Sequence, residues 1–196
     1  MPLPLLTLLA AAGLGWKVWK TGAPRKVFFS FHYADIWKVN QVRKSWVTRD
    51  GARAAGFFDN SLRETAKTHR ESEIRDLIDR RLADTEVTAV LIGSGTYARR
   101  WVRYEIEQSA IRGNGLLGIF IHRLGEPKRG GQRRRVARIG RNPFARIVLD
   151  DETGMTLDEY VPTYDWRIDE GYSNLREWVR AAPSLAEILR KHRRWG

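Results

Sequence analysis

The chain has no cysteine among its 196 residues. No disulfide framework and no thiolate metal site can form. That composition suits the cytosol without proving it. Histidine is scarce too. His32, His69, His122 and His192 show no spacing that would bring two imidazoles to one metal. No metal is expected. Acidic residues are outnumbered, 23 against 35 basic ones, for a formal charge of +12. Such an excess draws something anionic: nucleic acid, an acidic membrane surface or a nucleotide. There is no internal repeat. What is present is ordinary for a globular chain, 42% hydrophobic and 30% charged. The length allows one domain with a real core plus appendages.

The stretch from Val87 to Ile106 organises the rest. Residues 87–92 are a short apolar run that ends in Gly93-Ser94-Gly95. A buried parallel strand running into a turn reads this way. Beyond the turn the pattern becomes helical. Val102, Ile106 and Ala110 recur every four residues and form a buried face. Trp101 and Glu105 are also four apart, so they sit one above the other beside that face. A strand, a Gly/Ser turn and a helix with a carboxylate in its early turns bring that carboxylate to the carboxyl edge of a sheet. Open α/β sheets bind ligands there.

Residues 1–20 are almost wholly apolar. The run Pro2 to Trp16 spans about 22 Å as a helix, against a hydrocarbon core of about 30 Å. Snorkelling of Lys17 extends it to Trp19. Lys17, Lys20, Arg25 and Lys26 form a basic flank that holds the following chain in the cytoplasm. A membrane anchor is the first reading. An apolar helix docked on its own domain is the second, and a cleaved signal peptide the third. Residues 21–26 form a linker. Val27 to Phe31 and Gly56 to Phe58 read as strands. Val39, Val42 and Trp46 mark a helix, and Ile74, Leu77, Ile78 and Leu82 another. Leu116 to Ile121 is a further apolar strand. This alternation predicts a doubly wound parallel sheet with the first strand central. Residues 125–146 are a basic, Gly/Arg-rich loop, read as a solvated insertion or as a surface for lipid headgroups. No nucleic-acid module accompanies it, so nucleic acid is not the expected partner. In the C-terminal extension, residues 147–196, Ala145 to Leu149 is read as adding a strand and Tyr164 to Trp166 as a loop. Two short helices follow, around Leu175 to Val179 and Leu185 to Leu189.

Several of these segments together resemble a known family. They are Val27 to Asp35, Asn40 to Arg43, Gly56 to Asp59, Trp101 to Glu105 and Gly113 to Gly118. In order and spacing they are similar to the TIR-like domain of the Thoeris anti-phage defence proteins, over about Lys26 to His122. The Tyr-Asp-Trp segment and the Trp178 helix also match. The receptor-type Arg-Asp-x-x-Pro-Gly loop is absent, which weakens a reading as a pure adaptor. The resemblance implies a flavodoxin-like TIR fold over residues 27–124, with sheet order 2-1-3-4 and room for a fifth strand. It implies an enzyme that responds to a phage-derived trigger, splits NAD as substrate with no cofactor, and releases a cyclic ADP-ribose isomer to a separate effector. It also implies that Glu105 is the catalytic carboxylate, paired with Trp101. Phe31, His32, Tyr33 and Asp59 would then line the nucleotide pocket. A homo-oligomer is an expected partner state.

The chemistry suits a single carboxylate. Nicotinamide leaves NAD as a neutral ring, so the second carboxylate of ordinary glycosidases is not required. Negative charge beside the developing ribosyl cation is what lowers the barrier. The bland alternatives stand beside this reading. Glu105 could be a surface glutamate paired with Arg103 or Arg112. Asp35 could line the pocket or cap the next helix, and Asp59 could be a cap. Ser94 and Thr96 read as caps of the organising helix whose hydroxyls face the crevice. The rival from another class is a catalytically silent TIR-like module that acts by self-assembly.

The N-terminal reading makes a direct prediction. In cell fractionation the full chain should sediment with membranes, and a chain beginning near Ala23 should not. Equal partition of the two removes the anchor.

Overall fold

A computed structural model describes residues 25–50, 70–125 and 136–192; of residues 47–50 and 192 it describes the backbone alone. The apolar run 1–20, the strand read at Gly56 to Phe58, Asp59 and residues 126–135 of the basic loop lie outside the described residues. The core is a four-stranded parallel sheet of β1 (Val27–Phe31), β2 (Val87–Ile92), β3 (Gly115–Phe120) and β6 (Thr163–Asp165), in the order β1-β2-β3-β6. β1 and β2 pair Val27 with Val87 through Phe31 with Leu91. β2 and β3 pair Val87 with Gly115 through Ile92 with Phe120. The first two strands have the bounds their sequence patterns predict.

Both faces of the sheet are covered, which is why the strands read as unbroken apolar runs. On one face Phe29, Ala89, Leu91, Leu117 and Ile119 pack against α1 (Ile36–Asp50) and α4 (Gly171–Ala181). Val39, Val42 and Trp46 supply the α1 side, as their spacing predicts. On the other face Val90, Ile92 and Leu116 meet Val102, Ile106 and Ala110 of α3 (Arg100–Ile111). Helix α2 (Glu71–Ala83) covers Phe28 there with Ile74, Ile78 and Leu82. Helix α3 stops at Gly113, whose φ of 72° suits glycine. Among the described residues no helix is long and apolar enough to cross a membrane.

In the C-terminal third one expectation is corrected and one is met in part. Tyr164 is not in a loop. Residues Thr163–Asp165 form the edge strand β6, parallel to β3. Its pairing is dictated by β3 and by Trp178 of α4, whose ring stacks flat on Tyr164 with centroids 4.2 Å apart. The strand read at Ala145 to Leu149 is there only in its last residues, and outside the main sheet. Pro143–Arg146 is a 3-10 turn, started by the Asn142 side chain accepting from the Phe144 amide at 3.1 Å. Beyond it β4 (Val148–Asp150) pairs antiparallel with β5 (Met155–Thr156) in a separate two-stranded sheet. Leu185 and Ile188 of the last helix, α5 (Leu185–His192), join the same cluster as Phe144.

Phe144 fastens this extension to the sheet. It is fully buried, and its ring edge lies 3.2 Å from where a Cβ on Gly118 would sit. Phe144→Ala should lower the unfolding free energy by about 3–5 kcal/mol through the cavity it leaves. The measurement is the urea midpoint at unchanged m-value.

Candidate active site

The carboxyl edge of the sheet carries a cleft of about 610 Å³, lined by His32, Tyr33 and Ala34 on one side and Ala98, Arg99, Arg100 and Trp101 on the other. The first wall is the loop after β1, which enters a 3-10 turn at Tyr33–Asp35. The second is the start of α3, preceded by another 3-10 turn at Thr96–Ala98. Topology explains why they meet: β1 and β2 are adjacent parallel strands, so the segments that leave them emerge side by side.

Glu105 does not line this cleft. It lies one turn below Trp101, against the sheet, at 1% exposure. Its Oε2 accepts a hydrogen bond of 2.5 Å from Ser30 Oγ, itself buried in β1. The surface-glutamate reading therefore fails, because Arg103 pairs with Glu107 and Arg112 with Asp79. A second polar link fixes the backbone at the same level. Ser109 Oγ donates to the Glu105 carbonyl at 2.6 Å and shares a 2.7 Å hydrogen bond with Thr88 Oγ1 of β2. Helix α3 is thus held to two neighbouring strands by buried hydroxyls, one on the Glu105 side chain and one on its carbonyl.

The Gly93-Ser94-Gly95 turn makes room rather than capping α3. A Cβ on Gly93 would lie 1.9 Å from the Asp35 carboxylate, and one on Gly95 would lie 3.0 Å from His32 Nδ1. Thr96 Oγ1 accepts from the Gly93 amide at 2.9 Å and donates to the Leu91 carbonyl at 3.3 Å, so it closes the turn at the end of β2. The residue capping α3 is Arg99, without a side-chain cap. The expectation that Ser94 and Thr96 cap this helix is therefore corrected.

Of the residues singled out in the sequence, His32, Tyr33 and Trp101 meet around the cleft, while Glu105 is buried one helical turn on from Trp101. Phe31 points into the core with α1. Ser94 is exposed and outside the cleft lining. Asp35 is buried, yet its carboxylate faces Lys38 Nζ at 2.6 Å, and both side chains are under a tenth exposed. Sequence reasoning passed over Ser30, Arg99 and Arg100. The signal for Ser30 was its place: a lone hydroxyl in the apolar run Val-Phe-Phe-Ser-Phe needs a buried partner. Deeper along the sheet edge lies His122. Burial pushes its imidazole below the usual range, and Asp165, 3.6 Å away, pulls it back up. The described residues contain no group of acids and histidines able to hold a metal.

The Asp35–Lys38 pair is a structural ion pair with a testable cost. Asp35→Ala leaves a buried ammonium uncompensated and should destabilise the fold by about 3–5 kcal/mol. Replacing both, as Asp35→Leu with Lys38→Met, should recover most of that loss in the same urea unfolding measurement.

Comparison with known proteins follows the same segments. The family described as Thoeris protein ThsB, TIR-like domain, matches residues 28–126. Across the longer chain, the ThsB1 protein of Bacillus cereus (strain MSX-D12), named for cyclic ADP-D-ribose synthesis, is 36% identical over 194 aligned residues. That alignment covers 79% of this chain and 98% of the relative. The family match spans the β1 loop, the cleft and Glu105, and the chain belongs to the ThsB TIR-like family of Thoeris proteins.

Proposed function

We propose that this protein cleaves NAD and releases a cyclic ADP-ribose-type nucleotide that activates a separate effector in anti-phage defence. The observation that carries the reading is the Glu105 carboxylate, buried and held by Ser30 one helical turn from Trp101, which with other aromatic and basic side chains walls the cleft. Its relative's name supports the same product class.

The chemistry follows from that arrangement. Loss of neutral nicotinamide leaves positive charge on the ribose. A fixed carboxylate beside that carbon stabilises the charge without having to reorganise. Ser30 is the positioning residue: its hydroxyl bonds one carboxylate oxygen and fixes the other's direction. Trp101, one turn above, walls the ribosyl cation from water, so an internal nucleophile captures it and the product is cyclic. Glu107 is engaged by Arg103 at 2.7 Å and takes no part.

The wider setting belongs to the same proposal. Asp59 completes the nucleotide pocket, and a phage-derived trigger sets the activity, with assembly into a homo-oligomer. The apolar run 1–20 tethers the enzyme to the membrane, and the basic loop of 125–146, apart from Arg141 and Arg146 at Tyr97, offers its charge to anionic headgroups.

NAD consumption and products are compared under conditions where the parent is active, by mass spectrometry. Glu105→Gln should lose on the order of 3–4 kcal/mol of barrier stabilisation, hundreds-fold in rate. Glu107→Gln should match the parent. Ser30→Ala should lower kcat about tenfold with little change in KM, and should add almost nothing to Glu105→Gln, because the two act as one unit. Trp101→Ala should shift product from cyclic to linear ADP-ribose. Parental turnover by Glu105→Gln would replace this reading with the silent, self-assembling module.

A further inference from the structure

The geometry points to Arg99 and Arg100 as the subsite for the diphosphate bridge of the dinucleotide. This inference rests on the NAD-cleaving reading and deepens it. Of the seven residues named around the cleft, two carry positive charge and none carries negative charge. A cavity of about 610 Å³ is of the size that holds small ligands. Its cations therefore select for an anion.

The two guanidinium groups also have donors to spare. The hydrogen bond of the Arg99 side chain among the described residues runs from Nε to the Gly95 carbonyl at 3.2 Å, which orients the group and leaves its two terminal nitrogens for a ligand. Arg100 reaches Glu71 at 3.4 Å, a long contact between well-exposed side chains that a better acceptor displaces. Its guanidinium lies 4.6 Å from the centre of the Trp101 ring, which keeps it beside the cleft. The other arginines nearby are engaged. Arg141 and Arg146 both stack on Tyr97, and Arg146 also donates to the Tyr97 carbonyl at 3.0 Å. Arg103 is held by Glu107.

Position along the helix agrees with the shape of the substrate. Arg100 precedes Glu105 by five residues, about 7–8 Å along the axis. In NAD the reacting ribose carbon and the diphosphate are separated by one sugar ring and a methylene. With that carbon at the Trp101 end of the cleft and turned towards Glu105, the bridging phosphates lie on the Arg99 and Arg100 side. A planar fork of donors suits phosphate oxygens. The consequence is selectivity for dinucleotides and nucleoside diphosphates over substrates that lack the bridge.

The test is calorimetric binding of ADP-ribose, which carries the diphosphate and has no nicotinamide to lose. The full chain is compared with Arg99→Gln, Arg100→Gln and Arg103→Gln, each checked for an unchanged melting temperature. Arg99→Gln and Arg100→Gln should each raise Kd about tenfold, and parental binding should weaken with salt. Arg103→Gln should leave Kd unchanged. Less than a twofold change in the first two, an equal change in the third, or no measurable parental binding overturns the subsite. Glu105→Gln keeps the two readings apart. If the arginine variants bind normally while Glu105→Gln no longer cleaves NAD, the subsite is wrong and the catalytic reading stands. If they lose binding while Glu105→Gln cleaves at the parental rate, the subsite is right and the role of Glu105 is wrong.

Discussion

A carboxylate at 1% exposure against an apolar sheet survives only if donors meet it, and Glu105 has Ser30. That bond constrains much of what surrounds it. It fixes the height of α3 against β1, and the Thr88–Ser109 hydroxyl pair fixes the same helix against β2. With α3 set by two strands, the position of its first turn is no longer free. The cleft lies between that turn and the loop after β1, so its width follows from two buried polar contacts deeper in the fold. The glycines at 93 and 95 complete the arrangement by admitting Asp35 and His32 close to the end of β2.

The floor and the mouth of this site obey different physics. Below Trp101 the groups are dry, and each hydroxyl acts in a medium where a hydrogen bond is strong and a lost partner expensive. Above it Arg99 and Arg100 stand in solvent, where charge is screened and contacts exchange readily. Such a gradient suits a ligand whose reacting carbon must be held and whose anionic part must be captured first. The half-buried indole of Trp101 stands at the boundary between the two regimes.

The main sheet was legible in the sequence because its strands are buried on both faces. Val27 to Phe31 and Val87 to Ile92 are apolar runs bounded by polar or glycine-rich turns, and nothing in their surroundings contradicts the local signal. Glu105 and Trp101 were legible through helix spacing and the family resemblance. The edge strand at Thr163–Asp165 was not, because three residues carry no period and its pairing is decided by β3 and by the stacked Trp178. Asp35 shows a different limit. Its spacing of three from Lys38 is visible in the sequence, but the burial that turns the two into an enclosed ion pair is a tertiary fact. Phe31 was placed by its neighbours in the loop, whereas strand alternation sends it to the same side as Phe29 and Val27.

The order of the strands also sets how this molecule comes into being. Val27 finds its partner at Val87 and Gly118 finds its partner at Thr163, so each pairing closes a long stretch of chain before any ladder hydrogen bond rewards it. A nascent chain leaving the ribosome has synthesised β1, β2 and β3 well before the edge strand and the Phe144 wedge exist. During that interval the open side of β3 is an unpaired edge, a template for the equivalent strand of another copy. The extension, none of whose described residues line the cleft, is therefore what covers that edge of β3.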